Sequence, residues 1–184
     1  MRFRMRTAAA AAAVALAASG VGLLAPAADA AQSGSTIATF TISSGALNIT
    51  VPASTVPLAT VSAGSLAASG QLGNTTVSDQ RGSVVAAWTL TASSTNFTTG
   101  GASTNETVTN ANVSYLAGAA SSVTPALAGT FTPTPAVTLG SPITAGAFAG
   151  SGVNTVVWPS TISFVLSPNQ TAGTYTGTIT QSVA

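Results

Sequence analysis

Residues 84–97 read VVAAWTLTASSTNF and hold Trp88, one of two tryptophans in the 184-residue chain. β-Branched and aromatic residues gather here without Gly or Pro, which predicts a strand. Side chains alternate across a strand. Val84, Ala86, Trp88, Leu90 and Ala92 should therefore share one face, and Val85, Ala87, Thr89, Thr91 and Ser93 the other. Trp88 and Leu90 then stand side by side, roughly 7 Å apart along the strand. What this apolar pair packs against, the protein's own core or something outside it, decides how the chain works.

The same alternation recurs on both sides of this stretch, broken by Gly, Pro, Ser and Asn clusters, and no segment has helical periodicity. Ala38, Phe40 and Ile42 alternate with Thr39 and Thr41. After a turn at Gly45, Leu47, Ile49 and Val51 alternate with Asn48 and Thr50 until Pro52 ends the run. Residues 53–70 are rich in Ala, Ser and Gly, with Leu58, Val61 and Leu66 as apolar anchors. Residues 72–78 predict another strand, and Asp79-Gln80-Arg81-Gly82 a turn before the central one. Residues 96–103 read as a loop. Further strands are expected at 107–115, weakly at 127–131 and 136–139, and then at 153–158 and 162–166. In the last strand Tyr175, Gly177, Ile179, Gln181 and Val183 face one way and Thr174, Thr176, Thr178, Thr180 and Ser182 the other. The expectation is an all-β fold, an antiparallel β-sandwich of about 8–10 strands.

Arg2, Arg4 and Arg6 open the chain. An alanine-dominated apolar run follows to about Leu24, then Ala25-Pro26-Ala27-Ala28-Asp29-Ala30. This is the order of a secretory signal peptide, expected as a helix, with a small-x-small cleavage site. Residues 1–30 are therefore expected to be removed after Ala30, leaving 31–184 as a single domain; the competing reading is an uncleaved membrane anchor, for which the run is about long enough. The processed chain keeps only Arg81, Asp79 and Glu106 as charged side chains, a formal net charge of −1. Nothing is left to neutralise a run of phosphates or an anionic lipid surface, so neither nucleic acid nor, after cleavage, a membrane is an expected partner. The chain has no Cys, so packing and strand pairing must hold it together. Its sheet edges also lack the lysines that usually discourage edge-to-edge pairing.

Catalysis by proton transfer needs titratable groups near one another. Residues 31–184 contain no His, Cys or Lys and two carboxylates, Asp79 and Glu106. The many Ser and Thr hydroxyls have no base to activate them. Two carboxylates alone make a poor Ca²⁺ cage, and Zn²⁺ has no ligand set. No cofactor and no enzymatic activity are expected. Asp79 and Arg81, two apart beside a turn, read either as an exposed ion pair or turn cap, or as a site where Arg81 meets Trp88 or a ligand by cation–π contact or hydrogen bonds.

Val77-Ser78-Asp79-Gln80-Arg81-Gly82, Ala87-Trp88-Thr89-Leu90-Thr91 and Asn96-Phe97-Thr98 follow one another in order. Asn112-Val113-Ser114-Tyr115 and Ala172-Gly173-Thr174-Tyr175-Thr176-Gly177-Thr178-Ile179 come later. This ordered set resembles the WxL-domain surface proteins of Gram-positive bacteria. It covers most of residues 36–184. The family usually carries a second Trp-x-Leu in its final strand; here that slot reads Gln181-Ser182-Val183. The resemblance implies a β-sandwich at the cell surface that binds the cell wall non-covalently through peptidoglycan, and that meets partner surface proteins. It carries the binding role to Trp88 and Leu90, and by extension to Asp79 and Arg81.

Two readings of Trp88 stand at this stage. As core, it stabilises the fold by burying a large aromatic surface. As an exposed platform with Leu90, it offers a sugar or peptide a stacking surface, with Thr, Asn and Gln around it as hydrogen-bonding groups. Two functional readings accompany them. One is a secreted, non-catalytic, wall-associated protein. The other is a structural or adhesin-like subunit that pairs with itself or with other surface proteins through its sheet edges.

Overall fold

The computed structural model describes residues 36–52, 58 and 60–184; the expected signal segment, 1–30, lies outside them. Residues 41–184 form one compact unit. Among the described residues there are twelve strands and two short turns of 3₁₀ helix. The strands are β1 (Leu47–Thr50), β2 (Ala67–Asp79), β3 (Ala86–Ser94), β4 (Phe97–Thr98), β5 (Thr107–Val108) and β6 (Val113–Ala117). They continue as β7 (Ser122–Thr124), β8 (Gly129–Pro133), β9 (Val137–Thr138), β10 (Ile143–Gly150), β11 (Asn154–Val165) and β12 (Ile179–Val183). The total exceeds the expected 8–10 because several strands have only two or three residues.

All pairing is antiparallel. The larger sheet runs β1-β2-β11-β6-β9, with β7 also on β11, and the smaller runs β12-β3-β10-β8. Their inner faces meet in one core. From the smaller sheet come Trp88, Leu90, Phe131 and Phe148; from the larger come Val77, Val113, Tyr115, Val156, Trp158 and Ile162. The rings of Trp88 and Trp158 stack across the two sheets with centroids 6.0 Å apart, and those of Phe131 and Trp158 at 4.6 Å.

Strands were expected at 153–158 and 162–166, and β11 joins them into one through Pro159. Proline lacks the N–H a central strand needs. Here β11 pairs with β7 before Pro159 and with β6 after it. Pro159 sits where that neighbour changes, and its carbonyl accepts a bond from Gly118 N–H at 2.7 Å. The missing donor thus falls at a gap in the ladder. On the other side β2 inserts an extra residue opposite Ser160 and Thr161. Gly73, at φ 106°, supplies the backbone turn such a bulge requires.

Two expectations near the chain's first described residues and at the start of the central stretch are corrected. Ala38, Phe40 and Ile42 do not lie in a strand: residues 36–46 are extended coil. A strand exists only when paired, and alternation alone supplies no partner. Val84 does not share the face of Trp88. β3 begins at Ala86, and Val84 lies 88% exposed in the preceding loop. From Ala86 to Ala92 the alternation holds, with Ala86, Trp88, Leu90 and Ala92 all buried. The alternation read at the end of the chain also holds, with Tyr175, Gly177, Ile179, Gln181 and Val183 on the less exposed side.

Candidate interaction surfaces

Trp88 stands opposite Phe148 in the β3–β10 ladder. Its ring stacks on Phe148 at 5.3 Å and Phe131 at 5.6 Å. Only 2% of Trp88 is exposed, and Leu90 is fully buried. The Trp88 indole N–H is also enclosed, with no partner among the described residues. Of the two readings of Trp88 the core one holds, and the binding role that the resemblance gave to Trp88 and Leu90 is corrected: both are buried, because both sheets present aromatic rings to that side of β3. No sugar can reach them in the folded chain.

Asp79 ends β2, and its side chain is 1% exposed. Arg81 clasps it with two parallel bonds: Nε donates to Oδ1 at 3.0 Å and Nη2 to Oδ2 at 2.8 Å. The Arg81 backbone N–H also donates to Oδ1, which makes the turn cap. Nη2 donates once more, to the carbonyl of Ala87 on β3 at 2.9 Å. The pair thus ties the end of the larger sheet's β2 to the start of the smaller sheet's β3. Of the two readings of this pair, the ion pair and turn cap holds, with Asp79 buried rather than exposed. The Arg81 guanidinium, as direct hydrogen-bond donor, holds the Asp79 carboxyl below its ordinary range against the opposing effect of burial. Asp79 is therefore not accessible to a ligand, whereas 37% of the Arg81 side chain stays exposed.

Glu106, the third charged side chain, accepts the Ser103 N–H at 3.0 Å and folds the loop before β5. That bond holds its carboxyl low as well. All three charged groups within residues 36–184 are thereby bound into local structure. Among the described residues no group of three or more His, Cys, Asp or Glu side chains could share a metal ion. No helix among them is long and apolar enough to cross a membrane.

Gln181, in the slot where the resemblance places a second aromatic, reaches inward. Its Oε1 accepts from Tyr115 Oη at 2.7 Å and from Thr75 Oγ1 at 3.1 Å. Ser160 Oγ completes the cluster, 2.8 Å from Tyr115 Oη and 3.2 Å from Thr75 Oγ1. The four residues come from β12, β6, β2 and β11, so the network spans both sheets. Burial raises the Tyr115 phenol above its ordinary range. Alternation placed Gln181 on the inner face; its partners belong to distant strands and had no local signature.

What remains for contact is the outside. On the smaller sheet Ser182, Thr91 and Thr144 stand abreast, as do Thr180 and Ser93. On the larger, Asn48, Ser78, Thr155 and Thr124 form one row and Thr50, Thr76, Val157 and Ser122 the next. These rows carry hydroxyls and amides at the ~4.8 Å spacing of neighbouring strands.

Three loops make a different surface at one end of the sandwich. Gly152 N–H donates to the Ser83 carbonyl at 2.7 Å and Ser151 N–H to the Ala128 carbonyl at 2.8 Å, joining the loops before β3, β8 and β11. They expose Val84, Val85, Leu127 at 97%, and Val153. The sequence signal for this cluster was the apolar residues in otherwise turn-forming segments. Val84 was instead assigned to the core face.

Comparison with protein-family models, with curated proteins and with solved structures finds no match to this chain.

Proposed function

We propose that the chain is exported and acts at a Gram-positive cell surface as a non-catalytic adhesion module, associating non-covalently with a wall polymer such as peptidoglycan. The observation that carries this reading is the division of labour among polar groups. The charged side chains within residues 36–184 are bound into turns and a strand clamp, whereas the outer faces carry uncharged hydroxyl and amide rows. Such rows suit many weak hydrogen bonds to a polar polymer. The resemblance to WxL-domain proteins supports the wall as the target, while the binding surface moves from Trp88 and Leu90 to these outer faces.

A direct test is sedimentation of the processed protein with purified sacculi. Thr91→Glu places a charge in the middle of the smaller sheet's outer face without touching the core. Pelleting should fall several-fold while the melting temperature is unchanged. Equal pelleting of the variant would move the contact off that face.

A second reading, pairing with other surface proteins or with itself, is favoured by the exposed Val84, Val85, Leu127 and Val153 cluster and by uncharged sheet edges. Exposed apolar clusters rimmed by polar residues commonly mark protein contacts.

A further inference from the structure

The expected first strand is the most strand-like sequence left outside any sheet. Residues 36–43 read TIATFTIS, which holds no Gly, Pro or charge and alternates from Ala38 onward. The segment is extended coil, and Ile37, Phe40 and Ile42 are 91%, 87% and 83% exposed. No turn or bend occurs from Thr36 to Ala46. Gly45 N–H donates to the Gln80 carbonyl, and Gln80 N–H to that of Ala46. The chain therefore enters β1 already held against β2 at Gly45 and Ala46.

An acceptor of matching character lies at β12. Thr89 and Ala184 exchange N–H···O bonds in both directions. Bonded and non-bonded pairs alternate along an antiparallel ladder, so the backbone groups of Ile179, Gln181 and Val183 face away from β3. Among the described residues no strand pairs with β12 on that side. Its sequence, ITQSV, has no charge or proline to discourage pairing. The other edges are poorer: β1 has four residues, β9 has two, and β8 begins with Gly and ends with Pro. Beside β12 a cleft of about 420 Å³ opens between the sheets, lined by Val51, Leu58, Leu72, Phe97, Ile162 and Ile179 among others.

We propose that residues 36–43 of one copy add as a strand to the β12 edge of a second copy, with the Ala38-Phe40-Ile42 face turned toward this cleft. Backbone bonds supply the affinity and the alternate side chains the fit, as in strand addition generally. A contact of this kind is head-to-tail, so it propagates into chains of subunits unless a ring closes. The proposal rests on the self-association reading and names its two surfaces.

The test is analytical ultracentrifugation of the processed protein across micromolar to millimolar concentrations. The natural protein should form concentration-dependent oligomers. Thr39→Pro combined with Thr41→Pro removes two strand donors from an exposed segment. It should leave the melting temperature unchanged and the protein monomeric. A fluorescent peptide of residues 36–43 should bind that double variant, with raised anisotropy, and should lose binding when Ser182→Lys is added. Oligomers that persist in the proline variant would overturn strand donation while leaving self-association standing. A natural protein that stays monomeric throughout would overturn both. A peptide that binds Ser182→Lys equally well would overturn β12 as the acceptor.

Discussion

Trp88 shows how one residue's environment decides its role. Its ring lies among Phe131, Phe148 and Trp158, so Trp88→Ala should cost about 3–5 kcal/mol in urea unfolding, in the range for aromatic truncation in a core. Any loss of binding in that variant would then report unfolding. Gln181 occupies its slot as an acceptor for Tyr115 and Thr75. Gln181→Trp, which would restore the aromatic of the resembled pattern, should destabilise by about 1–3 kcal/mol through overpacking and orphaned donors. Asp79 predicts the acid response. Arg81 depresses its folded pKa below the ordinary 3.8, so the stabilisation is present above that value and is lost as the pH falls through the folded pKa. The urea midpoint should drop on acidification below about pH 4, and Asp79→Asn should remove the part of that drop due to this pair. The sequence put Asp79 and Arg81 together, but the Ala87 carbonyl that Arg81 also holds was visible only once β2 and β3 were placed.

At the level of elements, alternation was readable wherever a strand has one buried face. β3 from Ala86 and the run from Tyr175 to Val183 kept the expected sides. The misreadings share a cause: pairing partners decide where a strand begins, ends or continues. Residues 153–158 and 162–166 appeared to be separate strands, yet β11 runs through Pro159, whose missing donor falls where the neighbour changes from β7 to β6. Residues 38–42 appeared to be a strand, yet the first described strand begins only at Leu47. Close approach of rings to backbone was equally hidden. A Cβ on Gly146 would lie 2.6 Å from Phe131 Cζ, so Gly146→Ala should lower stability by about 1–3 kcal/mol by forcing that ring off its place against Trp88. Thermal melts of the single variant check this.

Residues 41–184 form a charge-poor sandwich whose outer faces, edges and loops present hydroxyls, amides and a few exposed apolar side chains. The shortage of titratable groups and the all-β architecture were legible in composition and alternation. The location of the contact surface was not, because an inward and an outward tryptophan give the same sequence pattern. The decisive measurement is sedimentation of the processed protein with purified sacculi, following both the bound fraction and soluble wall fragments over time. The account predicts saturable pelleting with no fragments released. Protein that stays in the supernatant at every concentration, or fragments that accumulate with added protein, would contradict it.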